Sequence, residues 1–126
     1  MTKKGGHTDE TSRTESTTAV VRIQQLARTF PGLAHAPGVD PWDPVVLDEW
    51  AVRQRGDRDW PTFEAAGFVL QVWDYPTLWR TKFDVVFAWY VWDADHRDAF
   101  LAWTRDPWWL GDERWQHGRR PVERGR

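Results

Sequence analysis

Asp93 and His96 stand three positions apart in the stretch WDADHRDAF, with Arg97 next in line. On a helix an acid and a histidine at this spacing share a face. That makes them half of the acid-x-x-His pattern with which helical bundles hold carboxylate-bridged metals. The other half is a second such pair plus two acids from neighbouring helices, and the chain has no second copy, so no metal is expected. The same acids, Asp93, Asp95 and Asp98, lie among Trp89, Trp92 and Trp103. An apolar wall beside one carboxyl separates its pKa from that of its neighbours, which is what general acid–base chemistry needs. A small enzyme or ligand-binding protein with a Trp-lined pocket, using Asp93 to Asp98 and His96, is therefore the alternative reading. The competing account gives Asp93 and Asp95 the task of starting a helix and leaves His96 satisfied by a carboxylate.

Other catalytic constellations are missing from the sequence. There is no Gly-x-Gly-x-x-Gly, no Gly-x-x-x-x-Gly-Lys-Ser/Thr and no Gly-x-Ser-x-Gly, hence no common phosphate cradle and no nucleophile elbow. Cysteine is absent, which removes thiolate chemistry, zinc fingers and disulfides. His7, His35 and His117 fall in loops or tails and read as solvated. No cofactor is implied. The C-terminal GRRPVERGR supplies Arg119, Arg120, Arg124 and Arg126, but residues 40–110 hold thirteen acids against seven bases. Such a body repels phosphates, so nucleic acid is not an expected partner.

Aromatic content gives the stronger lead. The 126 residues include 11 Trp, 6 Phe and 2 Tyr, and each Trp carries about 150–250 Å² of surface. A domain this short cannot bury them all. Trp108 and Trp109 are adjacent and so point apart, Pro107 has just ended a helix, and Trp115 follows closely. Exposed Trp beside Arg is characteristic of binding hot spots. The leading expectation is a non-enzymatic protein-interaction module, binding another protein or itself through DPWWL. The opposing picture folds DPWWL back as a clasp over the bundle.

These residues need a scaffold, and the spacing predicts an all-α bundle of four to five short helices. Residues 1–18 are rich in Ser and Thr and read as a disordered tail; a short helix follows over 19–30, with Val20, Ile23, Ala27 and Phe30 on one face. Residues 31–41 read as a Pro/Gly-rich linker, 42–115 as the Trp-rich helical domain and 116–126 as a basic, disordered tail. Within the domain, Asp43 followed by Pro44 starts a helix that Gly56 closes. Its inner face is Val46, Leu47, Trp50, Ala51 and Gln54, with Asp48 and Glu49 mostly opposite. A second helix begins near Asp59 and directs Phe63, Ala66, Gly67, Leu70 and Trp73 inward.

Thr81 and Asp84 have the spacing of a reciprocal cap for a third helix through VVFAWYVW. Asp93 or Asp95 starts a fourth that stops before Pro107, and Trp89, Trp92, Phe100 and Trp103 join the two. The three Trp-Asp pairs are irregularly spaced and exclude a WD propeller. With no apolar run near the roughly 20 residues of a membrane span and no secretory pattern, a soluble cytoplasmic protein is expected.

Overall fold

The computed structural model describes residues 17–75 and 77–110, and every regular element among them is helical. The expected class is the observed one. Helix α1 covers 17–28, and a single 3-10 turn follows at Pro31–Leu33. Helices α2 (Pro44–Gly56), α3 (Trp60–Trp73), α4 (Val85–Val91) and α5 (Ala94–Thr104) follow among the described residues. The readings made for residues 1–16, Trp115, His117 and the tail 116–126 lie outside the described residues.

Four of the helices begin where a carboxylate meets free amides. Asp43 accepts from Val46 N, Asp59 from Thr62 N, Asp84 from Val86 N and Phe87 N, and Asp93 from His96 N. Each satisfies donors that have no partner inside the helix and places negative charge at its positive end. Proline occupies the first turn of both α2 and α3, where its missing N–H costs nothing. Trp92 and Asp93 adopt extended backbone between α4 and α5, so 84–103 is two helices and not one.

Helix α3 is the axis of the fold. Its residues Thr62 to Leu70 are all buried, because α2, α4 and the 3-10 turn pack around it. The expected one-sided stripe is therefore too narrow. At Gly67 the chain of Lys82 and Phe83 crosses the helix so closely that a Cβ would lie 2.7 Å from Lys82 O. The element that comes so close to α3 is the segment before α4.

Residues 31–41 are no loose linker. Leu33, Ala36 and Val39 are buried in the same core as Ile23, Leu26, Ala27 and Phe30 of the preceding segment. Gln24 donates to Val39 O at 2.7 Å and Arg28 pairs with Asp40 at 2.9 Å, so α1 is bound to the segment that follows it. Gly38 takes φ +91°, and a Cβ there would stand 2.5 Å from Leu47 N. That combination of left-handed backbone and close contact selects glycine.

Two further readings need correction. Asp48, placed on the outer face of α2, is buried, because its carboxylate is used by the chain before α4. Thr81 does not cap α4: its hydroxyl donates to Asp48 and the cap falls to Asp84 alone. Gly56 is the last residue of α2, where the sequence placed the end of that helix, and the left-handed residue that follows is Arg58, at φ 65°.

Candidate functional site

His96 is brought into the core. Helix α5 directs its ring inward, where it stacks against Trp92 with centroids 6.3 Å apart and meets Phe30 at 6.1 Å. Nδ1 lies 2.8 Å from Asp93 Oδ1, and Nε2 accepts from Gly32 N at 3.3 Å. An Nε2 that accepts must be unprotonated, so in this arrangement the proton sits on Nδ1 and is donated to Asp93. Both ring nitrogens are thereby engaged within the fold. The His96 amide, followed by its ring, holds the Asp93 carboxyl below the ordinary aspartate value. Among the described residues no group of three His, Asp or Glu is arranged to hold a metal ion.

Gly32 explains why the ring fits. A Cβ at this position would collide with Thr62 Oγ1 and lie 3.3 Å from His96 Nε2. The 3-10 turn, the start of α3 and α5 thus meet around one imidazole.

The aromatics that surround it form a continuous core. Phe68 contacts Phe30, Phe83, Phe100 and Trp103 at centroid distances between 5.0 and 5.7 Å. Trp92, 2% exposed, lies beside Phe30, Phe83 and Phe100 and donates its indole N–H to Pro61 O at 3.0 Å. Trp92, Phe100 and Trp103 are where the sequence placed them. Trp89 is not. It is 40% exposed, with the Arg97 guanidinium 5.1 Å from its ring and donating to its carbonyl at 2.7 and 3.0 Å.

Trp89 belongs to a surface that the sequence reading missed. Helix α4 contains no charged residue, yet Val85, Val86, Trp89 and Tyr90 are exposed by 47, 77, 40 and 81%. Only its other side is packed, through buried Ala88 and through Phe87, which meets Trp60 edge-on at 5.4 Å. Steps of three and four residues put Val86, Trp89 and Tyr90 on one side of the helix. Leu101, four residues beyond Arg97 on α5, is also exposed.

The DPWWL segment is anchored to the bundle. Leu110 N donates to Val72 O at 3.0 Å, and Trp103 donates its indole N–H to Trp108 O at 3.1 Å. The Trp108 ring is half-buried under the Arg22 guanidinium at 4.0 Å. Trp109 meets Trp103 edge-on at 5.3 Å and remains 44% exposed. The two neighbours divide the roles: Trp108 faces the fold and Trp109 faces solvent.

Among the described residues two acids, Asp48 and Glu64, are buried. Asp48 accepts from Arg80 N, Thr81 N and Thr81 Oγ1. Glu64 accepts from Asp84 N at 3.0 Å. Burial raises the Glu64 carboxyl above its ordinary value; the Asp84 amide opposes the rise and the Asp84 charge adds to it. No family model, curated protein or solved structure matches the chain.

Proposed function

We propose that this chain is a small non-enzymatic helical module that binds another protein or a second copy of itself. Its principal contact surface is the outer side of α4, with Trp109 of the DPWWL segment as a further contact. The observation that carries this reading is the exposure of Val85, Val86, Trp89 and Tyr90 on a seven-residue helix with no charge. Leaving so many large apolar groups in water has no benefit to folding, and contiguous patches of this kind mark binding sites. Composition points the same way, since Trp, Tyr and Arg dominate binding hot spots. Arg97 is already fixed by the Trp89 carbonyl and ring, so little side-chain entropy remains to be lost when a partner covers it. Both nitrogens of His96 are engaged inside the fold, which supports interaction over catalysis at the Asp93–His96 pair.

The test combines the V86S/Y90S double variant with W109A. Peptides selected by display against the full chain, and the self-association seen by sedimentation, are compared with the unaltered protein. Loss of binding or of self-association in V86S/Y90S, with the thermal midpoint retained, is the expected result. Association and peptide binding that persist unchanged in both variants would reject the reading.

A further inference from the structure

The outer side of α4 has a charge environment that selects among occupants. Between residues 82 and 98 there are four acids, Asp84, Asp93, Asp95 and Asp98, and two permanent cations, Lys82 and Arg97. All four acids are exposed. Asp84 stands at one end of α4, Asp93 lies two residues past the other end, and Asp98 adjoins the Arg97 that covers Trp89. Lys82 and Arg97 donate to the carbonyls of Trp79 and Trp89, and carbonyls leave the carboxylates unneutralised. The capping bonds of Asp84 come from neutral amides and likewise leave its charge in place. Among the described residues, Asp84, Asp95 and Asp98 make no ion pair. Exposed carboxylates therefore stand at both ends of the apolar face, Asp84 at one and Asp93 at the other, with the Arg97 guanidinium over Trp89 between them, and the segment as a whole is net negative.

A second copy fits this surface poorly. An isologous contact would set each net-negative segment against its own image, and like charges brought together oppose association. The area is also small. Four partly exposed side chains amount to a few hundred Å², short of the about 800 Å² per partner that a stable interface buries. A short segment needs less area and reverses the charge problem. Resting on the proposed interaction role of this face, we propose that α4 receives a short amphipathic segment of another protein, with apolar side chains on Val86, Trp89 and Tyr90 and Lys or Arg side chains facing Asp84, Asp93 and Asp98.

Three fluorescein-labelled peptides of equal length test this, built on one leucine frame at helical spacing with Lys, Glu or Ser between the leucines. Their affinity for the full-length protein is read by anisotropy. The lysine peptide should bind about tenfold or more tightly than the glutamate peptide, with a difference that shrinks as salt is raised. V86S/Y90S should abolish binding of the lysine peptide. D84S/D98K, in which serine retains the helix cap, should bring its affinity down to that of the serine peptide. Equal affinity for all three peptides, or preference for the glutamate peptide, with binding still lost in V86S/Y90S, would overturn the basic partner and leave the interaction role standing. A dimer abolished by V86S/Y90S would assign the face to a second copy and overturn the inference. Binding of no peptide, together with a monomer at all concentrations, would overturn both.

Discussion

The carboxylate of Asp48 on α2 accepts both the amide and the hydroxyl of Thr81, at 2.9 and 2.8 Å, across 33 residues of sequence. This pair fixes the chain between α3 and α4, and Arg80 N adds a third bond at 3.0 Å. Hydrogen bonds to a buried charge contribute more than those between neutral groups, and donors left unsatisfied carry the full penalty of desolvation.

Asp48→Ala is expected to destabilise the fold by about 3 kcal/mol, and Thr81→Val by about 1 kcal/mol. The double variant should lose less than the two together, with a coupling of at least about 0.5 kcal/mol. Urea denaturation of the four proteins measures this. Additive losses would show that the two residues act independently.

Glu64 and Asp93 are shifted in opposite directions, which separates their contributions by pH. The folded-state Glu64 carboxyl lies above 4.5, so the folded chain holds that proton more tightly than the unfolded one. Stability from this group falls as pH rises from 4.5 through the raised folded value. Glu64→Gln keeps an acceptor for Asp84 N and removes the buried charge; it should raise the thermal midpoint at pH 7, with the gain vanishing below the ordinary glutamate range. Asp93 lies below 3.8 in the folded chain, so its contribution is present above that value and is lost as pH falls through the lower, folded one. Asp93→Asn should flatten the acid limb of the stability profile without creating a gain at pH 7. Thermal melts between pH 2 and 8 distinguish the two.

Gly67 and Gly56 both end up in helices and should respond oppositely to alanine. A Cβ at Gly67 meets Lys82 O at 2.7 Å and Lys82 C at 2.9 Å, which are backbone atoms, while Gly56 has nothing within 4 Å. Overpacking of this kind costs about 1–3 kcal/mol, more than the gain of up to about 1 kcal/mol that alanine brings to a helix. Gly67→Ala should therefore lower stability, and Gly56→Ala should leave it unchanged or raise it. Equal effects at both sites, read by denaturant midpoint, would contradict the close crossing of Lys82 over α3.

The caps explain why so much of the fold was legible. Asp43, Asp59, Asp84 and Asp93 act on amides two or three residues away, a signal contained in a short window of sequence. Asp48 gives no such signal, because its partners arrive from beyond an entire helix. Helix α3 reads as a stripe and is buried all round, since the number of neighbours a helix acquires is a property of the assembly. At the site, the fate of α4 was the least legible. VVFAWYV has no charged residue to mark an outer side, so periodicity could not say whether Trp89 or Phe87 would turn inward. The Asp93–His96 pair was visible by spacing, but Gly32, which occupies the other ring nitrogen, lies 64 residues earlier.

Trp108 and Trp109 provide the sharpest separation of folding from binding. Trp108 is half-buried beneath Arg22, and its truncation removes that contact and opens a gap beside α1. Trp109 offers the fold little beyond its edge-on contact with Trp103. Trp108→Ala should destabilise the protein by about 2 kcal/mol, less than the roughly 3–5 kcal/mol of a fully buried Trp because the ring is only half-buried. Trp109→Ala should cost about 1 kcal/mol or less, the value of one aromatic pair. If DPWWL also contacts a partner, Trp109→Ala should weaken that association while Trp108→Ala weakens it only as far as it unfolds the chain. Denaturation and binding measured on the same samples decide the matter. A large stability loss at Trp109 with no change in association would make the whole segment a clasp and leave α4 as the sole contact surface.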